Sequence, residues 1–325
     1  MTPSTTPDHG LEQICAGPQT FMDIPQGTDP AGAGVAILGC PFDCGIHPFR
    51  IGARQGPASI RAQSGLVRRY SPEVADVDVP LALGAIDCGD VRLTPSRIEE
   101  SFAAIAAAAD RIAAAGTVPI GLGGDGSVSL PLIRGVSRHH PGLVVLHIDS
   151  HTDAYPADPV HPYDASTQFT HAALEQRIRT SASYHVGLRG TTTRQGVYDH
   201  GRALGYNLVT LAELLDRGPS AMAAISGEIG GAPVYLSFDM DVFDPSCAPG
   251  VCTPVWGGLS AREGLDLIRS LASLNVVAAD VNTVSPPHDV NGMTAFLAAA
   301  VVYEIMLLVY AVKGSSLLEA AALPA

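Results

Sequence analysis

The sequence predicts an α/β protein of three layers, in which a mostly parallel central sheet lies between two layers of helices. Short apolar runs at 35–39, 143–146 and 234–238 are of the kind that form buried parallel strands. Residues 101–115 are alanine-rich with larger apolar residues at helical spacing, and Gly116 is a suitable stop. Because such strands and helices alternate, we expect an open sheet with helices on both faces.

The elements follow this alternation in chain order. The run at 35–39 is the first core strand, and a loop from 41 to 57 follows it. Pro57 suits the first turn of a helix that we expect to reach residue 68. The later elements are strands at 118–122, 143–146, 184–188, 234–238 and 276–281, a strand and helix over 208–215, and a helix opening at 262–265.

Composition is that of a folded protein with an acidic balance. The chain has 325 residues, 46% of them hydrophobic, which is enough to bury a large core. Its formal net charge of −13 argues against partners such as nucleic acid or an anionic membrane, because both require a basic face. We expect two parts: an extension at 1–34, rich in Pro, Gly, Thr and Asp, that covers the surface or reaches a neighbouring subunit, and a single α/β domain at 35–325.

The cysteines and the two ends of the chain bear on its location. The six cysteines form no C-x-x-C pair, so we interpret them as reduced and the protein as cytoplasmic. The first nine residues lack the basic and apolar segments of a secretion signal. The run from 293 to 312 is apolar, but Glu304 lies in its middle and a strand precedes it, which favours a buried helix over a membrane span.

Charged side chains follow two of the predicted strands. Asp149, His151 and Asp153 come at every second position after the run at 143–146, so an extended backbone presents them on one side. Asp239 and Asp241 follow the run at 234–238 with the same spacing. We therefore expect four carboxylates and an imidazole to lie close together where these two strands end.

A divalent metal explains this concentration of negative charge. Four ionised carboxylates crowded together would otherwise repel one another and take up protons. Two dications would neutralise them, and a metal also lowers the pKa of bound water toward neutrality. Oxygen ligands with one imidazole suit manganese or another first-row metal. A single aspartate at a strand end is often only a helix cap, but the combination of D-x-H-x-D with D-x-D predicts a metal site.

At these residues the chain resembles the ureohydrolase family, which contains arginase, agmatinase and guanidinobutyrase, and it is most similar to the agmatinase and guanidinobutyrase branch. The resemblance covers nearly the whole chain after about residue 34. It implies an arginase-like three-layer fold, a dinuclear manganese or nickel centre, and hydrolysis of a guanidino C–N bond. The motifs that carry it are 41–43, 52–57, 123–125, 149–153, 237–245, 248–250 and 257–259.

The chain departs from the family pattern at Gly126. The family usually has a histidine there, which would complete one metal site with Asp149, Asp153 and Asp239. The other site implied by the resemblance consists of Asp149, His151, Asp239 and Asp241, and this set is complete. Loss of a ligand weakens a metal site, since even changes outside the ligand set cost about 10–100-fold. We therefore expect one metal site, with the second lacking its only nitrogen donor.

A second departure lies at Thr283, where the family has a glutamate that holds the substrate guanidinium. Threonine offers one neutral oxygen in place of a bidentate anion, so guanidinium affinity should fall about tenfold or more. The resemblance places Arg50 in the loop that lines the substrate entrance. It also matches His171 to a loop histidine that is a proton shuttle to the leaving amine, a task that suits imidazole. The predicted catalytic residues are His171 and Asp149, and the predicted substrate contacts are Thr283 and Arg50.

These features leave three hypotheses for function. The first is a metal-dependent amidinohydrolase that acts on a linear C–N bond of a small cationic guanidine, substituted guanidine or biguanide and releases urea or an amine. The second is a degenerate subunit that supports an active paralogue, since both departures affect the chemical centre. The third is a mononuclear metal hydrolase acting on an amide. The resemblance also implies a homo- or hetero-oligomer, either a trimer or a hexamer.

Overall fold

The computed structural model describes residues 17–44 and 49–321, with side chains as far as residue 313. In these ranges eight strands form one sheet in which all neighbours are parallel, in the order β2-β1-β3-β8-β7-β4-β5-β6. The predicted α/β class is confirmed. The strands are β1 (Val35–Cys40), β2 (Ile86–Asp90), β3 (Val118–Gly123), β4 (Val144–Ile148), β5 (Tyr184–Leu188), β6 (Asn207–Thr210), β7 (Pro233–Asp239) and β8 (Asn275–Asn282).

Ten α-helices of the described ranges cover the two faces of this sheet. The helix predicted at 101–115 lies at 98–114, the helix after the loop at 41–57 ends at residue 64 and not at 68, and the helix at 219–229 was not predicted. The helices are α1 (Gly56–Ser64), α2 (Val79–Ala82), α3 (Ile98–Ala114), α4 (Ser129–Val136), α5 (Gln168–Leu174), α6 (Val197–Ala203), α7 (Leu211–Arg217), α8 (Pro219–Ile229), α9 (Ala261–Arg269) and α10 (Met293–Ala321).

Two hydrophobic clusters form the core, one on each face of the sheet. Because side chains alternate along a strand, β1 contributes Val35 and Ile37 to one cluster and Ala36 and Leu38 to the other. The first cluster continues into α1, α8, α9 and α10, and the second into α3 and α4. The strands are therefore buried on both faces, which explains why they are apolar runs and not alternating patterns.

The described part of the N-terminal extension is anchored in the core. Phe21, Met22 and Ile24 are buried among the core residues, and the Phe21 amide donates to the carboxylate of Asp87 over 2.8 Å. The expectation that the extension only covers the surface is therefore wrong for residues 17–34. Residues 1–16, which include Cys15, lie outside the described residues.

Helix α10 is the apolar segment at the C-terminus. From Met293 to Lys313 it is long and apolar enough to cross a membrane, but 67% of this segment is buried inside the protein. Glu304 is 6% exposed and forms an ion pair with Arg269 of α9 over 2.5 Å. The prediction of a buried core helix is confirmed.

The sheet register brings the two predicted site segments together. Strands β4 and β7 are neighbours, and Ile148 at the end of β4 pairs with Phe238 near the end of β7. The next residue of each strand is an aspartate, Asp149 and Asp239. Because the carboxyl ends of parallel strands share one edge, both charged segments leave the sheet at the same point.

Asp244 holds the loop that follows this edge, and its ionisation should affect stability. Its carboxylate accepts hydrogen bonds from the amides of Ser246, Gly257 and Gly258 at 2.9, 2.8 and 3.1 Å. The Ser246 hydroxyl and then these amides lower the pKa of Asp244 from 3.8 to about 2. A depressed pKa gives stability above the unfolded value that is lost as the pH falls through the folded one. The melting temperature of Asp244→Asn should thus lie below that of the wild type at pH 5, with the gap narrowing between about pH 4 and 2. A gap that stays constant over this range would contradict the assignment, and the exposed Asp199→Asn is the control.

Candidate metal centre

The centre lies in the turns that follow β4 and β7. Asp149, Asp153, Asp239 and Asp241 are at most 6% exposed, and His151 is 14% exposed at its side chain. Each turn is held by its own carboxylate, since Asp149 Oδ1 accepts the His151 amide at 2.5 Å and Asp239 Oδ1 accepts the Asp241 amide at 2.7 Å. The structure thus brings together the five residues that the sequence predicted as ligands.

His151 joins the two segments. Its Nδ1 lies 3.3 Å from Asp149 Oδ1 and 3.1 Å from Asp241 Oδ2. The hydroxyl of Ser150 donates to Asp241 Oδ1 over 2.7 Å, which fixes the second aspartate against the first turn. Burial opposes the charged imidazole, but Asp241 and Asp149 outweigh it and raise the pKa of His151 well above its usual range.

The carboxylates are crowded enough to perturb one another. Burial and then the charge of Asp149 raise the pKa of Asp153 well above its usual range, and burial and then Asp241 do the same for Asp239. For Asp149 burial acts in the same direction, but His147 and His151 outweigh it and its pKa is well below the usual value. Negative charge at this depth requires a positive partner.

A divalent metal fits the donor set. Asp149, His151 and Asp241 each offer a ligand atom within 4.8 Å of the others. Asp149 Oδ2 is buried without a hydrogen-bond partner among the described residues, and His147 Nε2 lies 2.9 Å from it. Carboxylate oxygens with one imidazole nitrogen suit a first-row metal such as manganese. The residues present therefore fit one metal ion without rearrangement of the backbone.

A second group lies on the other side of Asp149. His147, Asp149 and Asp153 also offer ligand atoms within 4.8 Å of one another. His147 Nδ1 is 2.8 Å from Nδ1 of His185, which places the imidazole between a carboxylate and a second histidine. From its position on a strand, His147 could not be distinguished from an ordinary core histidine, although it continues the two-residue spacing of Asp149, His151 and Asp153.

Gly126 begins a short 3-10 helix after β3, beside Asp153. A Cβ atom at this glycine would lie 2.7 Å from Gln168 Nε2 and 3.0 Å from Asp153 Oδ2. The amide of Gln168 therefore occupies the space into which a side chain at residue 126 would extend. Gln168 Nε2 donates to Asp153 Oδ2 at 2.5 Å, and its Oε1 is buried with no hydrogen-bond partner.

A cleft of about 310 Å³ opens above the centre. His151, Asp153, Asp239 and Asp241 lie on its floor, and Asp149 is buried below them. Further acidic and aromatic side chains form its walls, together with two arginines. These wall residues are Asp43, Arg50, Asp125, Tyr155, Asp164 and Arg194.

Both predicted substrate residues line this cleft, whereas neither predicted catalytic residue does, since Asp149 is buried below the floor. Thr283 lines the cleft, but its hydroxyl donates to Asp239 Oδ1 at 2.5 Å. Arg50 also lines it, with its guanidinium donating to the carbonyls of Pro249 and Val251. The catalytic role of His171 stays a prediction, although the ring of this residue lies outside the cleft lining, with Nε2 2.7 Å from the carbonyl oxygen of Pro162.

A sequence model described as the arginase family matches residues 33–308. The chain belongs to the arginase family. The predicted resemblance to ureohydrolases is confirmed.

Individual relatives of this arginase-family chain agree with that assignment. It is 36% identical over 299 residues to a guanidinopropionase of Pseudomonas aeruginosa, covering 90% of this chain and 92% of the relative. The solved structure of proclavaminate amidinohydrolase from Streptomyces clavuligerus is similar with a TM-score of 0.85 and 34% identity, over 91% of this chain and 98% of that one. The arginase-family chain is thus grouped with hydrolases that act on linear amidines, as predicted.

Another solved relative bears on the metal. Formiminoglutamase of Trypanosoma cruzi, described as a complex with Mn²⁺, is similar with a TM-score of 0.77 and 27% identity, over 86% of this chain and 94% of that one. The cluster of histidine and aspartate in this arginase-family chain is placed on the same fold.

Proposed function

We propose that this chain is a manganese-dependent amidinohydrolase that cleaves a C–N bond of a small guanidino compound with water and releases urea and an amine. The observation that carries the proposal is the set of four buried carboxylates and one imidazole on the floor of an open cleft. A divalent ion held by Asp149, His151 and Asp241 would supply a Lewis acid and activate water at neutral pH. Manganese is proposed over nickel because oxygen donors dominate the set.

The remaining side chains of the centre bind and orient. Asp239 is fixed by the Thr283 hydroxyl and Asp241 by Ser150, so the carboxylates cannot turn away from the cleft. His151 lies on the cleft floor with Nδ1 3.1 Å from Asp241 Oδ2 and 3.3 Å from Asp149 Oδ1, where its neutral imidazole can supply a nitrogen ligand beside the carboxylates. Held in this way, the groups need little reorganisation when substrate binds.

The cleft walls suit a substrate with a cationic head. Asp125 and Asp164 add negative charge near the floor, which attracts a guanidinium. The walls lack a free carboxylate in the position of Thr283, so we propose weaker binding of the guanidinium than a glutamate there would give. Arg194 is exposed at the cleft, with one hydrogen bond of 3.3 Å to the Pro156 carbonyl. Its guanidinium can pair with a carboxylate at the other end of the substrate, so a guanidino acid is favoured over agmatine.

A second candidate function is a subunit that supports an active paralogue. It rests on two positions at the centre: Gly126 offers no donor, and the Thr283 hydroxyl is engaged by Asp239. The two candidates differ in where turnover occurs. In the first the purified chain acts alone, and in the second it requires a homologue that has histidine and glutamate at these two positions.

The test is an assay of urea release by the purified chain loaded with Mn²⁺, and separately with Ni²⁺. Substrates are 3-guanidinopropionate, 4-guanidinobutyrate and agmatine, each with and without such a homologue. Turnover by the chain alone that is faster on the guanidino acids supports the proposal. Absence of turnover from a metal-loaded, folded chain, with activity appearing only on addition of the homologue, would replace it by the second function.

A further inference from the structure

We infer that Gln168 is a metal ligand, and that its side-chain amide completes a second metal site in place of the residue missing at position 126. The inference deepens the proposed function by completing its metal centre. It concerns the half of the centre formed by Asp149, Asp153 and Asp239. Sequence comparison with the family marks this half as incomplete, because Gly126 supplies no side chain.

Burial is the first support. Gln168 is the first residue of α5 and is 2% exposed, although glutamine is usually a surface residue. Its Oε1 is buried and has no hydrogen-bond partner among the described residues. An unpaired buried acceptor costs about 1–3 kcal/mol, so a partner that the protein chain does not provide is expected.

Position is the second support. The Cβ contact at Gly126 shows that the Gln168 amide fills the volume beside Asp153 that a side chain at residue 126 would enter. Gln168 Nε2 lies 2.5 Å from Asp153 Oδ2, so the amide is in direct contact with the carboxylate cluster. An amide carries its oxygen and its nitrogen on one carbon, so a half-turn of the terminal torsion exchanges them. The half-turn brings the unpaired oxygen to the side of Asp153, where a divalent cation between the two would pair with both oxygens.

Ligand chemistry is the third support. Side-chain amide oxygens are ligands of hard divalent cations, as carboxylates and water are. An amide oxygen is a harder ligand than an imidazole nitrogen, and both groups are neutral. The replacement therefore makes the ligand set harder and leaves the charge of the site unchanged. The site with Gln168 should therefore prefer Mn²⁺ over softer metals and should bind it more weakly than the site with His151.

The experiment counts Mn²⁺ ions by isothermal titration of chelator-treated, dialysed protein. We expect two ions per wild-type chain, with one bound more weakly. Gln168→Leu should lose the weaker ion, or weaken it by about 10–100-fold, and should keep the tighter one. Gln176→Leu is the matched control, because Gln176 is exposed just beyond the same helix and should leave both ions. One ion in the wild type, or unchanged titration of Gln168→Leu, would overturn the inference.

Two further variants separate a ligand from a hydrogen-bond donor. Gln168→Glu should keep the second ion, because a carboxylate also ligates Mn²⁺, whereas a residue needed only to donate to Asp153 could not be replaced by an anion. The double variant Gly126→His with Gln168→Ala should regain the ion that Gln168→Ala alone loses. If folded Gln168→Glu or the folded double variant lacks the second ion, the inference that Gln168 takes the ligand position of a side chain at residue 126 is contradicted. These counts do not depend on turnover, so they can fail or succeed separately from the proposed activity.

Discussion

Asp149→Asn should abolish tight metal binding while leaving the fold intact. Asp149 contributes a ligand atom to both groups of donors, and its Oδ2 accepts no hydrogen bond. Asparagine has the same shape and can still accept the His151 amide, so the turn after β4 should be kept. The lost charge should weaken the metal by about 100-fold or more, because even changes outside the ligand set cost about 10–100-fold. Metal content after dialysis against trace Mn²⁺ measures the effect.

Thermal unfolding gives an independent readout of the same variant. Metal at 100 times its Kd should stabilise the wild type by about 2.7 kcal/mol, and chelation should remove this gain. Asp149→Asn should show no metal-dependent change in melting temperature, and its urea release should be lost. Asp199→Asn is the control, since Asp199 is 86% exposed at its side chain. Equal metal content in Asp149→Asn and the wild type would refute the ligand assignment.

Arg61→Met should cause the largest loss of stability away from the centre. Arg61 of α1 is 7% exposed and donates to both carboxylate oxygens of Asp87 at 2.8 Å, and to Asp90 at 2.5 Å. Methionine fills similar space but leaves the buried charge of Asp87 without its partner. The expected loss is about 3–5 kcal/mol in the free energy of unfolding, measured by urea denaturation.

Two variants show whether the loss comes from the buried charge. Arg97→Met breaks an exposed pair with Glu100, whose side chains are 64% and 67% exposed, and should change the free energy of unfolding by about 1 kcal/mol at most. Asp87→Asn in the Arg61→Met background should recover part of the loss, because the carboxylate is then neutral. A loss for Arg61→Met no larger than for Arg97→Met would contradict the role of this ion pair.

The ligands could be predicted from the sequence because their geometry is set locally. Parallel strands end at one edge of the sheet, which brings the residues after each apolar strand to one place. The extended backbone expected over Asp149, His151 and Asp153 is wrong, because β4 ends at residue 148 and Asp153 has a φ of 46° in the turn that follows. The sequence pattern alone does not show that β4 and β7 are neighbours in the sheet. The length of the motifs at 149–153 and 237–245 made the same fold recognisable from family resemblance.

The other members of the centre depend on contacts between distant segments. Gln168 reaches Asp153 because the start of α5 folds back over the turn after β4, and no spacing rule shows this. Arg194 lines the cleft from a loop after β5. His171 was matched by its position in a loop, but it lies on α5 and its ring faces the Pro162 carbonyl. Arg61 and Asp87 pair across 26 positions, which sequence pattern does not encode.

The central claim is that the ends of β4 and β7 together hold a divalent metal ion. Its most direct test is anomalous diffraction from crystals grown with Mn²⁺, recorded on both sides of the manganese absorption edge. We expect a manganese peak within ligand distance of Asp149, His151 and Asp241. Fully loaded crystals with no peak at these three residues, and with manganese bound elsewhere or not at all, would contradict it.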